Sequence, residues 1–181
     1  MSRYFVFLRA INVGGHVVKM EKLRKLFEEF GYAEVETFIA SGNVIFRTSE
    51  KDTQSIEAQI AMGLEEALGY EVATFIRTEA ELARIAAYEA FPQVVVEAAT
   101  AYNIAFLHEP LDEQAKQTLM GLQTEIDAFA AHAREVYWLC QRKQSESTFS
   151  NAVLEKRLRV KSTIRGVATV QKLAKKLEAS Q

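Results

Sequence analysis

The sequence is poor in cysteine, in proline and in long apolar runs. Its 181 residues include one cysteine, Cys140, and two prolines. A single thiol excludes an internal disulfide and any metal site built from several thiolates. Charged residues make up 25% of the chain and interrupt its apolar stretches, so we expect no membrane-spanning segment and no membrane partner. Only five apolar residues separate Arg3 from Arg9, which is too short for a signal-peptide core, and we therefore expect a cytoplasmic protein.

The overall composition is that of a globular protein. Hydrophobic residues make up 49% of the chain, which excludes collagen-like and wholly disordered classes. The net charge of −2 is unevenly distributed, since residues 142–181 carry ten Lys or Arg against three Glu. This segment is either a solvated helical tail or a surface that binds phosphate or nucleic acid. We expect Lys172, Lys175 and Lys176 to form a solvated helix face and Arg165 to bind a ligand from a polar turn.

The first half of the chain shows the β-α-β-β-α-β order. The patterns predict strands at 3–9, 35–40, 44–47 and 72–77, with amphipathic helices around 23–30 and 56–68. A capping box at 78–81 opens a short helix. This order is typical of a ferredoxin-like domain.

The second half repeats most of this order. Strands are predicted at 102–107, 125–129 and 135–140, and helices at 110–122 and around 152–158 and 170–177. We therefore predict an α+β fold of two ferredoxin-like halves, with a first unit at 1–88 and a second at 89–181 that ends in basic helices. The repeated order indicates either a structural duplication or two α+β modules that share one extended core. The segment between them includes Val94, Val95 and Val96, which we expect to be buried.

The strands carry large apolar side chains on both faces. In the first strand Tyr4, Val6 and Leu8 alternate with Phe5 and Phe7. We expect the second face to be covered by helices, by the other unit or by a second subunit, and a homodimer is one such arrangement.

The topology brings two polar segments to one edge of the first sheet. The loop after the first strand and the hairpin between the second and third strands emerge there together. Glycine lets a ligand approach backbone N–H groups, the following helix presents its positive end, and the basic residues add charge. The alternative is that the glycines only turn the chain. The residues of this predicted anion site are Arg9, Asn12, Gly14, Gly15, Lys19, Ser41, Gly42 and Asn43.

The second half contains fewer candidate site residues. His108 and His132 are expected at one edge of the second sheet, but no clustered carboxylate or thiolate completes a metal site, so we predict no metal and no cofactor. Cys140 is expected to serve packing.

Four ordered motifs resemble the bacterial domain-of-unknown-function family 1697. They are LRAINVGG at 8–15, SGNVIF at 41–46, SNAVLEKRL at 150–158 and TIRGVATVQKL at 163–173. Ala10 stands where the family usually has glycine, and Gly166 where it usually has asparagine. The resemblance implies two ferredoxin-like halves and implies no established activity.

Three functions are compatible with these features. The first is binding of a phosphate-bearing ligand, a nucleotide or a nucleic acid, with Asn151, Lys156, Thr163 and Arg165 completing the site if the C-terminal helices fold back over that edge. The second is an enzyme acting on a small phosphorylated molecule, with Arg9 or Lys19 as electrostatic stabiliser and His16 as the acid–base group. The third is a non-catalytic interaction or dimerisation module.

Overall fold

A computed structural model describes residues 1–12, 14–39 and 42–179 of the chain. The chain divides into two compact units, Met1–Ala83 and Arg84–Gln181. Each unit contains one four-stranded antiparallel sheet with helices, and the strand order is the same in both. The predicted α+β fold of two ferredoxin-like halves is confirmed. Within the described ranges, no helix has both the length and the apolar character that crossing a membrane requires.

The first unit follows the predicted order. Its sheet runs β2-β3-β1-β4, so β1 lies between β3 and β4. A further helix, α3 (Glu79–Ala87), follows β4 and contains the boundary between the units. The elements are β1 (Ser2–Leu8), α1 (Met20–Glu29), β2 (Ala33–Thr37), β3 (Asn43–Thr48), α2 (Thr53–Leu68) and β4 (Thr74–Thr78).

An aromatic core lies between this sheet and its helices. Phe27, on the apolar face of α1, packs against Tyr32 and Phe46, with ring centroids 6.1 and 5.8 Å away. The other face of β1 is buried as well, since Phe5 and Phe7 are also inaccessible to solvent. Both faces of this strand therefore exclude water, as the alternating apolar residues predicted.

The second unit repeats the order and adds helices at both ends. The elements are α4 (Gln93–Ala98), β5 (Ala101–Leu107), α5 (Glu113–Met120), β6 (Asp127–His132), β7 (Glu135–Cys140), α6 (Asn151–Leu158), β8 (Ser162–Gly166) and α7 (Val167–Glu178). The sheet runs β6-β7-β5-β8. A short 3-10 turn, Gln144–Glu146, precedes α6.

Two expectations for the second unit are wrong. Arg165 lies in β8, where it is 7% exposed, and not in a polar turn. The strand escaped prediction because it is short and mixes Ser, Thr and Arg with a single Ile. The valines of α4 are not in the core, since this helix has no buried residue and Val94 is 71% exposed.

A polar network is built into the core of the second unit. The buried carboxylate of Asp127 accepts hydrogen bonds from Trp138 Nε1 at 2.8 Å, from Ser147 Oγ at 2.8 Å and from Thr124 Oγ1 at 3.0 Å. Because every donor meets a carboxylate oxygen, this network fixes the start of β6 against β7. Cys140 is fully buried at the end of β7, and burial raises the pKa of its thiol.

Candidate functional site

The structure brings the loop after β1 and the β2–β3 hairpin together. The amide of Leu8 donates to the carbonyl of Gly42 at 2.9 Å. A Cβ atom on Gly42 would lie 3.0 Å from Ile11 Cγ2 and 3.2 Å from the Cβ of Leu8. Residue 42 also has a φ of 76°, so glycine is needed here both for its backbone conformation and for the close approach.

The segment 9–19, which we call the β1–α1 loop, is held at several points. Asn12 Oδ1 accepts from the amide of Val18 at 2.7 Å, which closes the middle of the loop. The hydroxyl of Tyr70 donates to the carbonyl of Ile11 at 3.1 Å. The ring of Tyr70 also stacks on His16, with centroids 3.8 Å apart. Sequence patterns did not identify Tyr70, because a tyrosine after a helix-ending glycine carries no signal of its loop partner.

The tip of this loop exposes its backbone. Gly14 and Gly15 adopt left-handed φ values of 63° and 83°, and a Cβ at either position would meet nothing within 4 Å. The following helix, α1, begins after Lys19, whose side chain makes no capping hydrogen bond. Lys19 is exposed and Arg9 is half-buried. This combination of open backbone, a helix start and two cations is suited to an anion.

For three residues of the predicted anion site, the structure shows no side chain directed at a ligand. Two of them use their side chains in internal hydrogen bonds, and the third lies outside the described residues. Asn43 is 1% exposed, and its Nδ2 donates to the carbonyl of Phe38 at 2.9 Å, which closes the hairpin. The side chain of Asn12 is used within the loop, as described above. Ser41 lies outside the described residues. The amides of Asn12 and Asn43 thus shape the edge, and Gly42 is buried there. Gly14, Gly15 and Lys19 are exposed, and Arg9 is half-buried.

The second unit holds the remaining predicted residues. Asn151 Nδ2 donates to Glu155 Oε1 at 2.8 Å and to the carbonyl of Ser162 at 3.0 Å, which ties α6 to β8. Arg165 Nη1 donates to Thr163 Oγ1 at 2.8 Å and to the carbonyl of Ile164 at 3.0 Å. Burial lowers the pKa of Arg165 to about 10. The exposed turn that suggested a ligand role for Arg165 does not exist. That Asn151 and Arg165 bind a ligand stays a prediction.

The histidines of the second unit make different contacts at one sheet edge. His132 stacks on Tyr88, with centroids 4.0 Å apart and an interplanar angle of 8°. The carbonyl of His108 accepts from Arg134 Nη1 at 3.4 Å. In the described part of the chain, no group of three or more His, Cys, Asp or Glu residues is arranged to hold a metal ion.

The fold and the edge define a class, a mixed α+β protein of two ferredoxin-like units with a glycine-rich loop at one sheet edge. The chain belongs to the family described as protein of unknown function DUF1697, whose model matches residues 1–137. No curated protein matches the chain.

A solved structure shares the fold. The chain is similar to the conserved bacterial protein SP0830 from Streptococcus pneumoniae, with a TM-score of 0.79 and 22% identity. The similarity covers 98% of this chain and 99% of that one. At this identity the likeness establishes the fold alone.

Proposed function

We propose that the chain binds a phosphate-bearing ligand, a nucleotide or a nucleic acid, at the β1–α1 loop of the first unit. The observation that carries the proposal is the exposed left-handed backbone of Gly14 and Gly15, which four residues separate from the start of α1, a helix without a side-chain cap. Backbone N–H groups at such a position suit phosphate oxygens, and the helix dipole favours negative charge.

Basic side chains support the same assignment. Arg9 and Lys19 mark the two ends of the β1–α1 loop, so the loop carries one cation on each side of Gly14 and Gly15 along the chain. A charge-assisted hydrogen bond contributes about 1.5–3 kcal/mol, which is enough to change an affinity at least tenfold. The clamps on Ile11, Val18 and His16 reduce the ordering cost of binding, because the loop is already folded.

The contacts of His16 favour binding over catalysis. A histidine that acts as general acid or base is ordinarily oriented by a second polar group. In the described part of the chain His16 stacks on Tyr70, and no carboxylate hydrogen-bonds its ring. The ring is therefore placed as a stacking surface at the edge of the loop.

Calorimetric titration with ATP tests the proposal, with Arg9→Gln and Lys19→Gln as the variants. Each substitution is expected to weaken binding about tenfold, since each removes one charge-assisted contact. Arg3→Gln is the matched control, because Arg3 lies at the opposite end of β1 and makes the same change in charge. Equal affinities for all four proteins would contradict the proposal.

Salt dependence separates a nucleotide from a nucleic acid. A single-stranded oligonucleotide that contacts several phosphates would show a steep loss of affinity with salt, by about 0.7 log unit per log unit of salt for each phosphate contacted. Affinity for ATP alone, with a shallow salt dependence, assigns the edge to nucleotides. Turnover of ATP that is lost in His16→Ala would assign the edge to an enzyme.

A further inference from the structure

The second unit contains a cleft at the equivalent edge of its own sheet. The cleft has a volume of about 650 Å³. One wall, residues 108–112, is the loop between β5 and α5, and the other, residues 157–161, runs from the end of α6 towards β8. We call these the β5–α5 wall and the α6–β8 wall. Pockets of roughly 300–1,000 Å³ are typical of small-molecule sites.

The charges of the cleft are separated between its walls. The α6–β8 wall contributes three cations, Arg157, Arg159 and Lys161. The β5–α5 wall contributes two carboxylates, Glu109 and Asp112, together with His108. Asp112 has a structural task, since its side chain accepts from the amide of Ala115 at 2.7 Å and caps α5. A ligand with several negative charges is attracted to one wall and repelled by the two carboxylates of the other, of which Glu109 can be replaced without removing the helix cap.

Arg159 occupies a backbone position where glycine is the usual residue. It ends α6 with a left-handed φ of 55°, and its amide donates to the carbonyl of Glu155. The first unit ends α2 in the same way, but there the left-handed residue is Gly69, with a φ of 82°. The left-handed conformation is sterically unfavourable for a residue with a Cβ. A guanidinium in the cleft is therefore kept at a conformational cost that glycine would not incur.

The frame around the cations is firmly held. Leu158 is buried beside them, and the amide of Val160 donates to the carbonyl of Glu155 at 3.3 Å. Asn151 joins α6 to Ser162 at the start of β8, as described above. On the opposite wall the amide of Leu107 donates to the carbonyl of Arg134 at 2.9 Å. The backbone that carries the three cations is thus fixed before any ligand arrives, which lowers the entropic cost of binding.

We propose that this cleft binds a small phosphate-bearing molecule through Arg157, Arg159 and Lys161. Two guanidinium groups offer paired donors that match phosphate oxygens, and the ammonium group adds a point charge. The cleft shape favours a compact ligand with two or more phosphates over a nucleic acid strand, which needs an extended basic surface. The sequence pI of about 6.0 is in keeping with this choice. The proposal concerns a different unit and different residues from the β1–α1 loop.

Titration with inorganic pyrophosphate at low salt tests the cleft. The measurements use the full chain carrying Arg9→Gln and Lys19→Gln, so that binding at the β1–α1 loop is strongly weakened and failure of one proposal leaves the other standing. In this background we expect saturable binding, and we expect Arg159→Gly to weaken it at least fivefold. Because glycine suits the left-handed position, Arg159→Gly retains the fold, and a thermal melt verifies this.

Two further variants sharpen the test. Glu109→Gln removes one of the two exposed carboxylates opposite the cations and is expected to tighten pyrophosphate binding severalfold. The control is Lys172→Gln with Lys175→Gln, two exposed lysines of α7 outside the cleft, which should leave the affinity within twofold. An affinity unchanged in Arg159→Gly would overturn the proposal, as would an equal loss in the lysine control. Binding of a single-stranded oligonucleotide without binding of pyrophosphate would also overturn it.

Discussion

The two sheet edges share a backbone plan and differ in how they present positive charge. In both units the amide at the end of the first strand donates to the hairpin, from Leu8 to Gly42 and from Leu107 to Arg134, at 2.9 Å in each case. In both units the helix that precedes the last strand ends in a left-handed residue, Gly69 after α2 and Arg159 after α6. The first edge offers open glycine backbone, whereas the second offers side-chain cations in a cleft. The same topology therefore carries two different polar arrangements at this edge, and we have proposed each of them as an anion site.

The cores of the units differ in a parallel way. The first relies on tilted aromatic rings around Phe27 and Phe46, and in the second the carboxylate of Asp127 accepts a hydrogen bond from the indole N–H of Trp138. The residue that begins the second strand is Ala33 in one unit and Asp127 in the other. An apolar core tolerates small losses, whereas a buried carboxylate network is sensitive to the loss of its central acceptor.

The largest expected effect comes from removing that acceptor. Asp127→Ala leaves the Trp138 indole N–H and the Ser147 and Thr124 hydroxyls without their partner, and we expect a loss of about 3 kcal/mol in the free energy of unfolding. Urea denaturation measures it. Asp112→Ala, which removes an exposed helix cap, is the control and should cost about 1 kcal/mol. Equal losses in the two variants would show that the buried network contributes no more to the free energy of unfolding than an exposed helix cap does.

The next largest effect is a loss of stability at high pH that depends on Tyr32 of the first unit. Burial, aided by Glu50, raises the pKa of Tyr32 from 10.0 to about 12. The folded state therefore favours the neutral phenol, so its contribution is complete below pH 10 and is lost as the pH rises towards 12. At about 1.4 kcal/mol per pKa unit the loss is on the order of 2 kcal/mol.

Tyr32→Phe tests this titration. The variant loses the hydrogen bond to Gln59 and is less stable at pH 8, but its stability should fall less between pH 10 and 12 than that of the unmodified chain. Urea midpoints across this range provide the measurement. Tyr102→Phe is the counterpart in the second unit, where burial also raises the pKa of Tyr102. Parallel pH profiles for Tyr32→Phe and the unmodified chain would contradict the assignment.

A smaller effect is expected from exchanging the two helix ends. Gly69→Arg forces a Cβ into a left-handed position and should cost about 1 kcal/mol, although a Cβ there meets nothing within 4 Å. The reverse change, Arg159→Gly, should stabilise the chain by up to about 1 kcal/mol. Thermal unfolding of both variants provides the comparison. Shifts of the same sign would mean that the two helix ends are not equivalent.

The smallest effect concerns a buried amide in the second unit. Asn103 Nδ2 is buried and has no hydrogen-bond partner within the described residues, and Asn103 pairs in register with Gly166. A Cβ on Gly166 would meet open space, and its φ of −62° suits any residue. Gly166→Asn therefore brings a carbonyl oxygen beside the amide, and we expect a gain of about 0.5–1 kcal/mol. The gain should disappear in the Asn103→Val background, which urea denaturation of both variants would show.

The fold was predictable because apolar spacing and turn residues agree along most of the chain. Leu23, Leu26 and Phe27 have helical spacing, and they are the buried face of α1. β8 was not predicted because Ile164 is its one large apolar residue, and the other four residues show no alternating apolar pattern. The sequence does not mark the end of α6 with a glycine, since Arg159 adopts the left-handed conformation there.

The candidate site was predictable only at the level of which segments meet. Strand order places the β1–α1 loop beside Gly42, and the structure shows this contact. Side-chain roles depend on distances that no sequence spacing encodes. The amides of Asn12 and Asn43 turn inward to bond the backbone, and the ring of Tyr70 comes from a segment far along the chain.

The lone thiol has a practical consequence for studying how the molecule opens. Cys140 is inaccessible to solvent and to a thiol reagent in the folded chain, since its solvent exposure is 0%. Burial also raises the pKa of its thiol. A thiol reagent added in excess can react only with molecules in which the end of β7 has opened, so the labelling rate counts opening events. Because this is the one cysteine in the sequence, the signal belongs to the second unit without engineering. The labelling rate of Cys140 thus measures local unfolding of the second unit in the natural sequence.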